Sequence, residues 1–421
     1  MIISPPPRWL THKLIAVCAV ALVVAGSWAK PAAKQSPLIH LEQIDHYNSL
    51  TTTGLARYPA DNPAVEFDRL VTPEIISAAR IRNSPGTLRL KWSSLLLPAF
   101  SGYVKVHEAR YRYLKRVPNG QNYYVDVPVS SDSSPIPVSI APNSTSAAIE
   151  ITLGNLPNFV VGGELQLRIE LRGNIGTQLP GEPDSLAWGH KDVWNSFGTV
   201  FLTAQQPTGI QAIPWLQVLQ QSCWFAQEKS NEIDIRREIT KGIFYETKKY
   251  SGEWRYFTSD SNGGDDQKLN LTSYFSPITL HMDCRDGASL TVAFCESLGL
   301  TTSILFYYEP IDKTNPICGA GYNSNDYSEY NVLDFNFHAV AIDGTYQIYD
   351  SVAAFWVDLS GNPWKNPVWN WTPYGYPQTT VGFPLPAPPF PAQPQNFYGL
   401  VDSPLGYDYQ NSSLRDVIEI Q

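Results

Sequence analysis

The chain has 421 residues, of which 43% are hydrophobic and 12% aromatic, while only 16% are charged. This length exceeds that of one ordinary domain, so two folded units with terminal segments are expected, and the composition excludes a disordered protein. A formal charge of −9, without any cluster of Lys and Arg, argues against a nucleic-acid partner.

The first segment, residues 1–29, has the features of a targeting signal. Arg8 and Lys13 precede an apolar run over 14–26, and the Ser-Trp-Ala of 27–29 supplies small residues at the −3 and −1 positions of a cleavage site. This predicts a cleaved signal peptide and a secreted, periplasmic or cell-envelope protein. An uncleaved membrane anchor is the alternative, but the run is shorter than the roughly 18 to 20 apolar residues that span a bilayer.

Residues 30–85 are polar and mixed, which predicts a linker or packing arm, with a short helix in "PEIISAARI" (73–81). Over 86–205, alternating runs such as "TLRLKW" and "ELQLRIELRG" are separated by Pro, Gly, Asn and Ser clusters. This pattern predicts an antiparallel β-sandwich domain. By analogy with other sandwiches, it could be a rigid spacer or could contact a glycan.

Residues 206–360 predict an α+β domain. "PWLQVLQQSCWFAQEKS" and "EIDIRREITKGIFYETKKYSG" have helical periodicity, and "EWRYFTSDSNGGDDQKLNLTSYF" reads as a hairpin around a Gly-Gly turn. A helix near Cys284 comes next, followed by strands in "TTSILFYYE", "DFNFHAVAI" and "TYQIYDSV". The last segment, 361–421, is rich in Pro and Trp, so we expect a surface extension without regular structure and a second place for glycan contact.

Cys284 lies where a helix is predicted to start. Asp283 can cap that helix with Asp286 three residues later, and Leu298-Gly299 marks its end. The unpaired N–H groups of a first turn favour a thiolate and can bind an oxyanion, although the two aspartates oppose the negative charge. The alternative is a small buried cysteine that opens a core helix.

His338 and Asp350 are a candidate base and orienting group on neighbouring strands, "FNFHAVAI" and "TYQIYDS". A two-residue Asp-Gly turn would set Ile342 opposite Thr345 and leave Asp350 on the other face of the sheet. A three-residue loop, with Ala341 opposite Thr345, would make His338 and Asp350 diagonal neighbours about 7 Å apart. A triad therefore requires a loop of odd length or a bulge.

These residues resemble the transglutaminase-like superfamily of papain-clan thiol enzymes. "MDCRDGASLTVAFCESLGL" is similar to the nucleophile helix of that family, and His338 and Asp350 follow at similar spacing, over roughly residues 210–360. The resemblance implies a papain-like fold, Cys284 as nucleophile, His338 as base and then acid, Asp350 as the group that orients the imidazole, no cofactor, and a protein or peptide substrate. "HAV" replaces the aromatic residue that many members have two positions after the histidine. It is more like periplasmic transglutaminase-like cysteine proteinases, which favours hydrolysis over acyl transfer.

Three alternatives to this assignment remain. Cys223 in "QQSCWFA" is similar to the Ser-Cys-Trp stretch of papain-type proteases, but it lies in a predicted helix and no Asn-Ser-Trp follows His338. The protein could instead be a non-catalytic surface or envelope protein that binds glycan or protein. It could also be a true protein-glutamine acyltransferase.

The sequence predicts no metal site and restricts the disulfides. "SDSNGGDDQ" (259–267) holds several carboxylates, but their spacing does not fit a calcium loop, so a hairpin turn is preferred. His107 and His190 are single histidines rather than ligand clusters. Cys284 and Cys295 would lie about 16 Å apart along one helix, beyond disulfide reach. If a bridge forms, Cys295 with Cys318 or with Cys223 is expected.

Overall fold

The structure of the protein is a computed structural model. It describes residues 39–47, 67–68, 77–94, 99–117, 120–132, 134–175, 185–212, 214–246, 258–260, 267–275, 284–307, 317–319, 338–345, 347–358, 375–384, 412–415 and 417–420. The predicted signal peptide, residues 1–29, lies outside these ranges. Among the residues that are described, no helix combines the length and apolarity needed to cross a bilayer.

The fold is mixed α+β and rich in sheet, and the chain divides into two compact units. The first takes the described residues up to 157 and those of 163–200, and the second takes 158–162 and those from 201 onward. The strands up to residue 203 are β1 (Ile39–Tyr47), β2 (Phe67–Asp68), β3 (Ser77–Ile81), β4 (Pro85–Ser94), β5 (Phe100–Lys115), β6 (Tyr123–Val129), β7 (Ile136–Ile140), β8 (Ile149–Asn155), β9 (Val161–Ile175) and β10 (Ser185–Thr203).

The first unit contains two sheets that are in contact through a pair of tryptophans. One has the order β2-β1-β4-β8, and the other β3-β10-β9-β5-β6 with β7 beside β5. The antiparallel pairing expected in this region is confirmed for β4 with β8 and for β5 with β6, β7 and β9. Trp92 on β4 and Trp188 on β10 join the sheets through an edge-to-face contact, with ring centroids 5.9 Å apart.

The predicted arm over residues 30–85 supplies strands to these sheets. β1 pairs with β4 along most of its length, from Ile39 opposite Ser94 to Tyr47 opposite Thr87. The short helix expected in 73–81 is wrong, because Ser77–Ile81 is strand β3. The Ala78 and Ala79 side chains are buried, and the Arg80 guanidinium donates to the Thr87 carbonyl at 3.0 Å, so tertiary contacts override the local helical preference.

The second unit packs two of its described helices on a six-stranded sheet. The helices are α1 (Leu216–Phe225), α2 (Glu232–Glu246), α3 (Leu271–Phe275) and α4 (Cys284–Ser297), and a 3₁₀ turn covers Gly209–Gln211. The strands are β11 (Thr258–Asp260), β12 (Gln267–Leu269), β13 (Thr302–Tyr307), β14 (Ile317–Gly319), β15 (His338–Asp343), β16 (Gln347–Asp358), β17 (Gly375–Pro384), β18 (Ser412–Arg415) and β19 (Val417–Ile420). The helices predicted around residues 214–230 and 232–252 are confirmed, and so are the three strands predicted after α4.

The large sheet has the order β14-β16-β15-β13-β18, with β17 beside β16, and a small sheet has the order β11-β12-β19. The prediction that 361–421 lacks regular structure is wrong for its described stretches, because β17, β18 and β19 pair with β16, β13 and β12. Pro377 and Pro384 are compatible with β17 because it pairs with β16 alone among the described strands, so their missing N–H groups break no second ladder.

His46 on β1 gives the first unit a dependence on pH. It is fully buried, and its Nε2–H donates to the Phe197 carbonyl at 2.7 Å. Burial, helped by the nearby Arg80 charge, lowers the pKa of His46 from 6.5 to about 3. The unfolded chain therefore binds a proton below about pH 6.5 that the folded unit does not, and stability falls as the pH drops.

We expect acidification from pH 7 to pH 5 to cost the first unit about 2 kcal/mol through this histidine. His46→Gln keeps a side-chain N–H donor but cannot titrate, so its acid destabilisation should be smaller than that of the wild type by that amount. Urea unfolding at both pH values measures the difference, with His190→Gln, a more exposed histidine, as the control. An equal loss of stability in wild type and His46→Gln would contradict the assignment.

Candidate functional site

Cys284 is the first residue of α4, as the sequence predicts. Its side chain is partly exposed, whereas every residue from Asp286 to Ser297 is buried. Asp283, the predicted cap, lies outside the described residues, and Asp286 occupies the first turn. The thiol thus stands at the accessible end of an otherwise buried helix, next to first-turn N–H groups that favour a thiolate.

The far end of α4 is closed by a Schellman motif at the predicted Leu298-Gly299 stop. Gly299 has a φ of +82°, its N–H donates to the Glu296 carbonyl at 2.9 Å, and the Leu300 N–H donates to the Cys295 carbonyl at 3.0 Å. A side chain at 299 would collide with the backbone of Gln205. The position and length of the helix that carries Cys284 are therefore fixed from its opposite end.

Helix α4 packs on β15 and β16, the strands that carry the other two candidates. The Thr291 and Ser351 hydroxyls are hydrogen-bonded at 3.0 Å, and Thr291 also donates to the Gly287 carbonyl at 2.9 Å. His338 opens β15, where its backbone pairs with Tyr307. The His338 side chain lies outside the described part of the structure.

The register of β15 and β16 meets the condition set by the sequence. Ala341 pairs with Tyr349 and Ile342 with Ile348, so an odd number of residues separates the paired positions. The two-residue Asp-Gly turn is excluded, and the pairing of Ala341 with Thr345 is wrong. The loop is nevertheless of odd length, which gives backbone positions 338 and 350 the same parity.

Asp350 is buried, with 1% of its surface exposed. Directly after Tyr349, β16 shifts its register against β17, since Tyr349 pairs with Val381 but Ala354 pairs with Thr379. A shift of this kind changes the direction of the side chains on the longer strand. Its neighbour Ser351 contacts α4, so the backbone of β16 passes beside that helix at this point.

The other described thiols are core residues. Cys223 and Cys295 are both free and buried, so a disulfide between them, or between Cys295 and Cys318, is wrong. Burial raises the pKa of the Cys295 thiol to about 12 and moves the pKa of Cys223 still higher. Burial of Cys223 therefore disfavours the thiolate that a rival nucleophile would need.

Gln211 is a buried amide that could be considered as a second oxyanion donor beside the first-turn N–H groups of α4. None of the described residues accepts a hydrogen bond from its Nε2. However, the Ile210 N–H donates to Glu296 Oε2 at 3.0 Å, which places this turn about 18 Å along α4 from Cys284. Gln211 therefore belongs to the far end of the helix.

Within the described ranges, no three His, Cys, Asp or Glu side chains come together in a way that would hold a metal ion. Of the carboxylate-rich stretch 259–267, only the backbone of 259–260 and 267 is described, on β11 and β12, which pair as the predicted hairpin. His107 has one acidic neighbour, with its Nε2 3.0 Å from Glu170 Oε1.

Sequence reasoning missed a buried polar cluster at the turn between β15 and β16. Asp343 Oδ1 accepts from the Thr345 N–H at 2.8 Å, the Thr345 hydroxyl at 2.7 Å and the Gln347 N–H at 3.0 Å. Asp343 Oδ2 accepts from the Tyr349 hydroxyl at 3.0 Å and lies 3.8 Å from Arg236 Nη1 on α2. The available signal was an arginine in the amphipathic pattern of "EIDIRREITK", which must find an acid when it is buried.

Comparison with known proteins gives little. No family model matches the chain, and no curated protein matches it. Among solved structures, red sea bream transglutaminase is similar at 10% identity and a TM-score of 0.31, over 66% of this chain and 49% of that one, so the chain spans about half its length. The class 5 fimbriae chaperone CfaA is similar at 9% identity and a TM-score of 0.17, over 74% of this chain and 97% of that one. Likenesses this weak carry no argument about function.

The exposure of the thiols predicts their order of reaction. In the folded protein at neutral pH, iodoacetamide should modify Cys284 at least about tenfold faster than Cys223 or Cys295, because both buried thiols are inaccessible and protonated. Quenched labelling followed by peptide mass spectrometry measures the three rates. Comparable rates below the unfolding transition would show that Cys284 is no more accessible than the core thiols.

Proposed function

We propose that the protein is an exported, transglutaminase-like thiol enzyme that cleaves or transfers amide acyl groups of proteins or peptides, with Cys284, His338 and Asp350 as its triad. The observation that carries the proposal is the contrast among the thiols. Cys284 is partly exposed at the start of a helix that packs on β15 and β16, while Cys223 and Cys295 are buried. The odd loop between β15 and β16 gives positions 338 and 350 the same parity, which supports the pairing of His338 with Asp350.

In the proposed reaction, His338 takes the proton of the Cys284 thiol, and the thiolate sulfur attacks the carbonyl carbon of a substrate amide. The carbonyl becomes an oxyanion that first-turn N–H groups of α4 can bind. When it collapses, the C–N bond breaks, and the imidazolium gives its proton to the leaving amine. The product is a thioester on Cys284, and Asp350 holds the imidazole in the orientation that both proton transfers need.

Turnover requires a second nucleophile. If water attacks the thioester, His338 accepts its proton, the C–S bond breaks, and a carboxylic acid leaves. If a primary amine attacks, a new amide forms and the protein acts as an acyltransferase. We favour hydrolysis because Val340 stands two residues after His338, as in the "HAV" that resembles the cysteine proteinases.

The proposal includes the architecture around the site. We infer that the two sheets of the first unit form a β-sandwich and that the second unit is a papain-like catalytic domain. Trp92 and Trp188, in contact between the two sheets, support the first inference. We also propose that residues 1–29 are removed on export to a secreted, periplasmic or cell-envelope location, and that membrane attachment arises only if they are retained.

A non-catalytic protein that binds glycan or protein is the second candidate, and exposed tyrosines on β6 favour it. Tyr123 and Tyr124 are 52% and 48% exposed, although the Arg112 guanidinium lies 4.6 Å from the Tyr124 ring centroid. Trp194 is less suited to stack on a sugar, since the guanidiniums of Arg110 and Arg168 lie 4.0 and 4.6 Å from its ring centroid.

Labelled casein is a test substrate for both reactions of the enzyme hypothesis, hydrolysis and acyl transfer. Release of acid-soluble peptides reports hydrolysis, and incorporation of dansylcadaverine reports acyl transfer. Cys284→Ala and His338→Ala should lower the active signal by about 10³-fold or more, and Asp350→Asn by a large but smaller factor, because triad members act as a unit. Cys223→Ala, which removes a buried thiol, should keep its activity.

The non-catalytic candidate gives the opposite result. It predicts neither casein signal, together with an alkylation rate of Cys284 that His338→Ala leaves unchanged. Loss of activity in Cys223→Ala with retention in Cys284→Ala, in folded variants, would contradict the assigned nucleophile.

A further inference from the structure

The sequence "DGT" at 343–345 would ordinarily favour a different hairpin. Asp-Gly is a strong signal for a two-residue turn, and that turn would set Ile342 opposite Thr345. The observed register instead pairs Ile342 with Ile348. Some interaction must therefore outweigh the local preference of this dipeptide.

The hydrogen bonds of the Asp343 carboxylate supply that interaction, because one oxygen binds the loop and the other binds Tyr349 on β16. Oδ1 closes the observed loop by accepting the N–H groups of Thr345 and Gln347. In the two-residue turn, Thr345 would instead pair with Ile342 across the hairpin. The hydrogen bonds from Thr345 and Gln347 to Oδ1 are therefore specific to the observed loop. The side chain thus stabilises the longer loop against the shorter one.

Oδ2 ties the same loop to the residue that precedes Asp350. It accepts from the Tyr349 hydroxyl at 3.0 Å, and Tyr349 is fully buried. Burial by itself raises the pKa of the Asp343 carboxyl, but hydrogen bonds from Thr345, Gln347 and Tyr349 outweigh it and hold that pKa below its usual value. The group therefore stays ionised at neutral pH and keeps all of its acceptor positions.

Arg236 connects the Asp343 carboxylate to helix α2 and to the segment that follows α4. Its guanidinium lies 3.8 Å from Asp343 Oδ2, and it also donates to the Thr301 carbonyl and to Glu232, at 3.3 Å each. Thr301 directly follows the last turn of α4 and precedes β13. The turn of the hairpin is thereby fixed to α2 and to the segment that leaves the helix of Cys284.

We infer that Asp343, clamped by Tyr349 and Arg236, is a positioning residue that sets the register of β15 and β16 and thereby the places of His338 and Asp350 relative to Cys284. The inference rests on the proposed function for its catalytic consequence. Its structural part, that Asp343 sets the register of β15 and β16, can be tested without measuring enzymatic activity. Asp343 itself touches neither the thiol nor a substrate in this role.

The pH profile of Cys284 alkylation tests the catalytic part, since a loss of stability alone does not move it. If His338 supports the thiolate, the alkylation rate of the wild type should reach half its maximum at a lower pH than that of His338→Ala. Tyr349→Phe keeps the buried ring but removes one bond to Asp343. We expect it to fold and to shift the half-maximal pH upward by about one unit, so that its rate at the wild-type half-maximal pH falls about fivefold.

Ser222→Ala is the matched control. It removes a buried hydroxyl that donates to the Phe294 carbonyl at 3.1 Å and accepts from the Ser297 hydroxyl at 2.9 Å, near the other end of α4. It should lower the unfolding midpoint as Tyr349→Phe does but leave the alkylation profile unchanged. A wild-type profile in folded Tyr349→Phe, or an equal shift in Ser222→Ala, would overturn the positioning role.

A cross-linking measurement keeps this inference separate from the proposed function. If His338→Ala leaves the pH profile of Cys284 alkylation unchanged, that result would contradict the proposed function but not the register inference. The register is then tested with the double variant Ile342→Cys/Ile348→Cys. These two positions lie directly opposite each other in the observed pairing, so oxidation can join the two new thiols in a disulfide. Asp343→Ala should lower the yield of that disulfide several-fold, and an unchanged yield in a folded chain would overturn the inference whatever Cys284 does.

Discussion

The burial of α4 is the constraint on which the second unit depends. From Asp286 to Ser297 the helix has no solvent-exposed turn, and it packs on β13, β15 and β16 as well as on α1 and α2. Its surface is partly polar, with Thr291 bonded to Ser351 and Ser222 bonded to Phe294, so its neighbours must meet it in one arrangement to satisfy those groups. Because Gly299 terminates it and Glu296 holds the Gly209–Gln211 turn, the helix cannot slide along its axis. The residue at its open end, Cys284, is therefore placed by contacts made up to about 20 Å away.

The sequence could predict the elements of this unit because their signals are local. The helical repeat from 284 to 298 with a glycine stop, and the alternating strands on either side of Asp343-Gly344, each lie within one short window. For the register between those strands, the sequence left two choices, a loop of even length or a loop of odd length. It did not determine which one forms. The deciding contacts join Asp343 to Tyr349 across the turn and to Arg236 more than a hundred positions earlier, and no local pattern encodes that meeting.

Other errors have the same origin. Residues 77–81 have a helical composition, yet Ala78 and Ala79 are buried in a sheet and Arg80 bonds to the backbone of β4. Residues 412–420 resemble a loose tail, yet they complete edges of two sheets whose other strands lie far back in the chain. Pairing of Cys295 was expected from an oxidising compartment, but its burial beside Tyr349 and Thr302 satisfies the thiol as a core side chain. In each case a remote partner, absent from any window of sequence, decides the outcome.

The electrostatics of the first turn explain why the hairpin matters for the proposed chemistry. A helix N-terminus stabilises a negative charge by roughly 0.3 to 1 kcal/mol, which is less than a tenfold change in the thiolate population. Asp286 in the same turn opposes that effect with a like charge. At neutral pH an ordinary thiol is only a few per cent ionised, so the helix alone cannot supply most of the thiolate that a nucleophile requires. The remaining stabilisation has to come from a cation beside the sulfur, and an imidazolium is the group that can supply it and then return the proton to the leaving amine. The proposed reaction therefore depends less on Cys284 being at a helix start than on the His338 imidazole reaching its sulfur.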